Sequence, residues 1–178
     1  MNKRKGKPAN YIKIIGDVAY ITLTKGKVAL ISVVDVEEAG KYLWYFSGHY
    51  AVRNAGKFPN QRAQFLHREI LNAPSGMEVD HINGDKLDNR RSNLRVCSKI
   101  ENQRNQKPRT TLRGQTLSSR FKGVHLPQQG NKYKAQIQVA GQKIYLGAFD
   151  SEIEAAKAYD SAARQRFGDF ALTNFEVQ

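Results

Sequence analysis

Three things are scarce in these 178 residues, and each shortage excludes a class of protein. Cysteine occurs once, at Cys97, which rules out an internal disulfide and any Cys-rich zinc site. Cys97 lies in the apolar-flanked stretch Leu94-Arg95-Val96-Cys97, where a small buried core residue is expected rather than a reactive thiol. Long apolar runs are missing too: none approaches bilayer-spanning length, and no apolar segment follows the basic start MNKRKGKP. A cytoplasmic protein with no membrane partner is expected. The basic start itself reads as a phosphate-binding arm, with a solubilising tail as the alternative. Acidic residues are the third shortage, 16 against 29 Lys and Arg, for a formal charge of +13. A charge that large on so short a chain repels itself unless a polyanion neutralises it. Nucleic acid is the leading partner, because each neutralised phosphate releases counterions. Ribosomal and membrane-surface proteins share this composition, so charge names a partner class and no activity.

What is present has the hydrophobic fraction of a globular protein and room for one ordinary domain or two small ones. In residues 17–35, two β-branched runs flank Lys25-Gly26-Lys27, the pattern of a hairpin. Residues 42–52 continue with aromatics around a Ser-Gly break and predict further strands. Trp44 is read as a core anchor, with base stacking as the alternative. Residues 64–72 switch to a short helical period that ends at Ala73-Pro74-Ser75-Gly76. Residues 77–82 and 94–97 read as strands around a polar loop. Ser98 and Glu101 have capping-box spacing, so a helix should start there and run to about Gln106. Residues 108–118 are polar and basic, the best linker in the chain. Arg104, Lys107, Arg109 and Arg113 are placed to follow a phosphate backbone, with a solvated tether as the bland alternative.

Beyond the linker, residues 121–125 form one short strand and 133–139 alternate strictly. Tyr133, Ala135, Ile137 and Val139 face one way, and Lys134, Gln136 and Gln138 the other. Gly141 turns the chain into a third strand, 143–149. Ser151 with Glu154 opens an amphipathic helix carrying Ala155, Ala158, Tyr159, Ala162, Ala163 and Arg166 at helical spacing. A three-stranded antiparallel sheet backed by one helix follows, with the Lys134-Gln136-Gln138 face left free for function.

The polar loop 79–95 poses the chemical question. Asp, Asn and Gly crowd into turns for backbone reasons, so loop punctuation is the bland reading. An EF-hand counted from Asp80 fails, because Ile82 and Gly84 fall where oxygen ligands are needed. A zinc finger lacks its cysteines, and no Ser-His-Asp set or phosphate-cradling glycine loop is evident. What remains is spacing. Asp80 and His81 are neighbours on a strand and point to opposite faces. Asn93 closes the loop, and Asn102 lies on the first turns of the next helix. Mg²⁺ needs one or two protein oxygens, which Asp80 and the Asn102 amide can supply, and a neutral His81 can take a proton from water. On these residues alone, loop and nuclease both stay open.

Val79-Asp80-His81-Ile82-Asn83-Gly84-Asp85, Asn89-Arg90, Ser92-Asn93-Leu94-Arg95 and Glu101-Asn102-Gln103-Arg104-Asn105 resemble the HNH endonuclease motif. The form is that of phage and mobile-element enzymes, with Asn in place of the last His. Leu66-His67-Arg68-Glu69-Ile70 is similar to the segment that precedes that motif, and the resemblance covers most of residues 10–107. It implies a ββα-metal core at about 64–107, with His81 as general base and Asn93 bracing the loop that orients it. Asp80 and Asn102 would hold one divalent metal, Mg²⁺ first and Mn²⁺ as the alternative, over Zn²⁺ because a nitrogen ligand is missing. The products implied are 5′-phosphate and 3′-hydroxyl ends. His67 is read as packing, with a DNA contact as the alternative.

Lys122-Gly123-Val124, the run from Lys132 to Ile137, Tyr145-Leu146-Gly147-Ala148-Phe149, the run from Glu154 to Asp160 and Leu172-Thr173-Asn174-Phe175 resemble the AP2 domain of plant transcription factors and phage HNH enzymes. That resemblance implies a sheet laid in the DNA major groove, reading through Lys122, His125, Lys134, Gln136, Gln138, Lys143 and Tyr145. Several of these positions carry Arg or Trp in the plant pattern, so a different or weaker base preference is implied. The expected fold is α+β: a β-rich region with the HNH core over 1–107, a linker over 108–118, and an AP2 domain over 119–178. The expected protein is a monomeric, metal-dependent endonuclease of homing type acting on double-stranded DNA without a small-molecule cofactor. A lone active site nicks one strand per encounter. A catalytically inactive DNA-binding regulator is the alternative, and the aromatic signatures of common RNA binders are missing.

Overall fold

The computed structural model describes residues 10–57, 59–105, 111–112, 115–116 and 118–175. The chain divides into two compact units, one ending at Lys99 and the other starting at Ile100, and it mixes several small sheets with few helices, an α+β composition. The N-terminal basic arm proposed above lies outside the described residues.

In the first unit, β1 (Ile12–Ile15), β2 (Val18–Thr22) and β3 (Val28–Ser32) form an antiparallel meander. The turn between β2 and β3 is a 3-10 turn at Thr24–Gly26 in which Lys25 and Gly26 both have positive φ. β1 is a strand that the sequence pattern did not announce. Period-2 alternation puts Ala19, Ile21, Ala29 and Ile31 fully inside. The helix α1 (Val36–Ala39) follows, and the Trp44 indole is buried with its Nε1–H donating to the Ala39 carbonyl at 2.9 Å. A core anchor is therefore what Trp44 is. β4 (Tyr45–Ser47), β5 (Tyr50–Ala55) and β6 (Arg62–Phe65) make a second antiparallel sheet. The helix α2 (Leu66–Ile70) is shorter than its sequence period suggests, because Gln64 and Phe65 pair with Arg53 and Val52 in the ladder.

β7 (Glu78–His81) and β9 (Leu94–Cys97) form the expected hairpin. The loop between them is not a solvated excursion. β8 (Asp88–Asn89) runs parallel to β3, with Asp88 opposite Leu30 and Asn89 opposite Ile31. Both residues are buried, and Arg91 is tied to Asp35 at 2.7 Å and to the Ile70 carbonyl at 2.9 Å. The first sheet thus reaches into the loop and fixes its middle. The helix α3 (Lys99–Arg104) starts one residue after Ser98, as the capping spacing requires.

In the second unit, β10 (Thr111–Leu112) and β11 (Gln115–Thr116) form a small antiparallel ladder inside the stretch read as linker. β12 (Val124–His125), β13 (Tyr133–Val139) and β14 (Gln142–Phe149) make the antiparallel sheet, backed by α4 (Glu152–Phe167). Ala135 and Ile137 pack inward, against the helix that supplies Ala155, Ala156, Tyr159 and Ala163. Ser151 caps the helix, its Oγ accepting from the Ile153 N–H at 3.2 Å. Alternation on β14 is broken by a bulge: Ala135 faces Gly147 while Gln136 faces Tyr145, and the extra Leu146 packs into the core. Gly123 has φ +76, and a Cβ there would lie 2.0 Å from the Tyr159 ring, so glycine alone fits. The buried Asp160 carboxylate accepts from the Asn174 and Phe175 N–H groups, and Asn174 Oδ1 in turn accepts from Lys122 N–H. The last described residues thereby hold the start of the sheet.

Candidate active site and nucleic-acid interface

The last two residues of β7 are polar and buried. Asp80 is 1% exposed and His81 0%. Alternation sends them to opposite faces of the hairpin, and their surroundings differ accordingly. Asp80 stands opposite Arg95 in the ladder and receives Nε–H and Nη2–H on one oxygen, Oδ2, at 3.0 and 2.7 Å. His81 lies in an aromatic setting, its ring 5.0 Å from that of His67 and 6.3 Å from that of Tyr50. Phe65 and Tyr50 close on His67 at 5.5 and 5.3 Å. Burial pushes the His81 imidazole down to about 4, with Lys86 adding to it and the Asn89 carboxamide and Asp80 opposing it. His67 is pushed down to about 3 by burial and then by His81. Both rings are therefore neutral at pH 7, and a neutral imidazole has a lone pair to accept a proton.

Asn93 spans the loop that starts at His81. Its Oδ1 accepts from the Asn83 N–H at 3.0 Å, and its Nδ2 donates to Asn83 Oδ1 at 3.0 Å and to the Asp88 carbonyl at 2.8 Å. Backbone bonds from Ile82 N–H to the Asn93 carbonyl and from Gly84 N–H to the His81 carbonyl complete the seam. Asp88 is held ionised by Arg90, which donates to both of its oxygens, and it accepts from Asn83 Nδ2 at 2.9 Å. The loop is a closed network rather than a string of turns.

The free face of the second unit's sheet carries polar side chains in cross-strand pairs. His125 faces Lys134, Gln136 faces Tyr145, and Gln138 faces Lys143. Lys134, Gln138 and Lys143 are exposed, and Tyr145 holds out its ring at 62% exposure. Lys122 is set back, and it lines a recess of about 220 Å³ with Gly123, Gln136, Ile137, Gln138, Lys143 and Tyr159. Burial there lowers its ammonium to about 8.

The profile of the HNH endonuclease family matches residues 72–104, the span that follows α2 and runs through α3. A protein of Acanthamoeba polyphaga mimivirus described as an uncharacterized HNH endonuclease, L560, is 33% identical over 168 residues, covering 90% of this chain and 83% of that one. The chain belongs to the HNH endonuclease family. About a third of it is also similar to AP2 proteins of plants. It shares 52% identity over 60 residues with APETALA2-like protein 2 of Oryza sativa subsp. indica. It shares 46% over 61 residues with the AP2/ERF and B3 domain-containing transcription repressor TEM1 of Arabidopsis thaliana. The chain spans just 14% and 17% of those two proteins' lengths, so the likeness is to one module of each.

Within the HNH segment, β7 carries Asp80 and His81, and Asn93 closes the 3-10 turn before β9. Asn102 is half-buried on α3 and falls in the second unit. Among the described residues, no three His, Cys, Asp or Glu side chains cluster to cage a metal. A carboxylate such as that of Asp80 is a hard oxygen donor of the kind that Mg²⁺ takes. Lys107, Arg109 and Arg113 lie outside the described residues, and Arg104 ends α3. Two residues of the HNH motif were given no role from the sequence. Asn89 is fully buried and acts on His81, and Arg95 grips Asp80. Asn89-Arg90 stood in the quoted motif, but a two-residue strand has no periodicity to announce it.

Proposed function

We propose that the chain is a metal-dependent DNA endonuclease of the homing or mobile-element type, targeted by an AP2 domain seated in the major groove. Residues 1–107 would form the nuclease, 108–118 the linker and 119–178 the targeting module. One observation carries the reading: a neutral, buried imidazole at His81 adjoins a buried carboxylate at Asp80, at the end of a strand whose outgoing loop is laced by Asn93. His81 would accept the proton of the attacking water. The water oxygen then bonds to phosphorus while the bond to the 3′ oxygen breaks, and that oxygen takes a proton from solvent, leaving a 5′-phosphate and a 3′-hydroxyl. Asn93 would hold the loop, and with it the imidazole, at the angle that transfer needs. Asp80 and Asn102 would hold one divalent ion, Mg²⁺ or Mn²⁺. Such an ion, when bound, stabilises the negative charge that builds on the phosphoryl group and the leaving oxygen. A single site of this kind nicks one strand per encounter, and the protein would work as a monomer in the cytoplasm.

The test compares wild type with His81→Ala on supercoiled plasmid containing a bound sequence, with Mg²⁺. Relaxed or linear product from wild type, reduced about 10²- to 10⁴-fold in the variant at unchanged DNA affinity, is the expected result. If neither protein cuts a DNA that both bind, the chain is a DNA-binding regulator on an HNH scaffold.

A further inference from the structure

Asp80 has a resident cation of its own. Arg95 stands directly across the β7–β9 ladder from it, and register brings their side chains to the same face. Two guanidinium N–H groups converge on the single oxygen Oδ2, at 3.0 and 2.7 Å. The pair is sheltered, with the carboxylate side chain 2% exposed and the arginine 16%, so water screens the attraction weakly. Neighbouring positions do the packing work of the strand: Leu94 and Cys97 are buried in the first unit. The arginine head reaches Asp80 instead.

We propose that Arg95 is a built-in rival for the divalent ion at Asp80 and sets the metal affinity of the site. The inference rests on the reading of Asp80 as a metal ligand. Any cation bound to that carboxylate comes within a few ångströms of the guanidinium, and two positive charges at that separation, away from bulk water, repel. Arg95 also keeps the carboxylate compensated and aligned, which prevents a lone buried charge from distorting the hairpin. The site is thereby preformed but weak for metal. A higher Mg²⁺ concentration is needed to activate cleavage than the same ligands would require beside a neutral residue.

Mn²⁺ binding by the full chain, followed by electron paramagnetic resonance or calorimetry without DNA, tests this. Arg95→Gln is expected to bind Mn²⁺ about tenfold more tightly than wild type, and Arg95→Lys, which keeps the charge, to stay near wild type. Asp80→Asn is expected to lose the site. Arg95→Met, which keeps the aliphatic stem, is run beside the glutamine variant in case that one does not fold. For whichever of Arg95→Gln and Arg95→Met folds, the rise in Tm on adding Mn²⁺ should exceed that of wild type. Equal or weaker binding by both neutral variants, with Asp80→Asn impaired, overturns the role of Arg95 and leaves the metal site standing. If Asp80→Asn binds Mn²⁺ as wild type does, the metal reading fails and takes the rivalry with it.

Discussion

The hairpin around His81 and the sheet around Gln136 place their polar side chains in opposite ways. In the hairpin, Asp80, His81, Asp88, Asn89 and Asn93 are buried, while Ile82 beside them stands 45% exposed. In the sheet, Ala135 and Ile137 are buried and the intervening Lys134, Gln136 and Gln138 look outward. The first arrangement costs desolvation at every polar group and is tolerable because hydrogen bonds are made within it. What it obtains is fixed orientation and a neutral imidazole, the conditions for moving a proton. The second costs little, since an amphipathic sheet folds by its apolar face alone, and it leaves the outer side chains free to be chosen for what they touch. On the proposed function, chemistry and recognition thus call for opposite treatments of the same residue types.

The sharpest way to break the comparison is to remove a buried polar side chain and find that nothing happens. Asn93→Ala deletes three side-chain hydrogen bonds and leaves the Asn83 N–H and the Asp88 carbonyl without that partner. The Asp88 carbonyl is buried and its orphaning costs about 1–3 kcal/mol, while the Asn83 N–H, on an exposed residue, adds less, so a loss of roughly 1–3 kcal/mol in urea denaturation is expected. Cleavage should fall further than the unfolded fraction explains. A loss below about 0.5 kcal/mol, the level of a surface substitution, would mean that the loop is held by its backbone and its β3 pairing instead.

This contrast also explains what was legible beforehand. The second unit could be read almost element by element, because alternation over 133–139 and the Ser151 cap are local signals and the packing is the usual apolar one. The bulge that seats Leu146 was not readable, since nothing in Lys143-Ile144-Tyr145-Leu146 marks where a ladder shifts. In the first unit, Leu94–Cys97 matched its expected bounds. Asp88 and Asn89, however, look like solvated loop residues, and they are buried only because β3, far away in sequence, pairs with them. Arg95 opposite Asp80 follows from register once the hairpin is known, and register depends on where the loop closes. Local periodicity wrote the sheet; long-range pairing wrote the site.

A smaller effect sharpens the same contrast through pH. His67 has a folded value of about 3 against about 6.5 for a free imidazole, lowered by burial. A depressed histidine adds stability that is complete above pH 6.5 and is lost as pH falls toward 3, because the unfolded chain takes up the proton first. At pH 5 that loss is about 2 kcal/mol for one such group. His67→Phe keeps a ring between Tyr50 and Phe65 and removes the titration. Urea denaturation at pH 7 and pH 5 should therefore show wild type losing about 2 kcal/mol more than the variant. Parallel losses in the two proteins would mean that the His67 ring is not buried as a neutral group.

The least effect on folding is expected from the outer face of the sheet, and there the signal should move to binding. Lys143 is exposed opposite Gln138. Lys143→Ala should change folding stability by less than about 0.5 kcal/mol. If its ammonium meets a phosphate, the plot of log affinity against log salt should flatten by about 0.9, with all DNA sequences weakened alike. Gln138→Ala, on the same face and uncharged, should leave that slope where it was and shift the preference among sequences instead. Fluorescence anisotropy at several salt concentrations separates the two responses. Identical slopes and identical preferences in both variants would mean that this face does not meet DNA, and the free side of the sheet would then be no more than solvated surface.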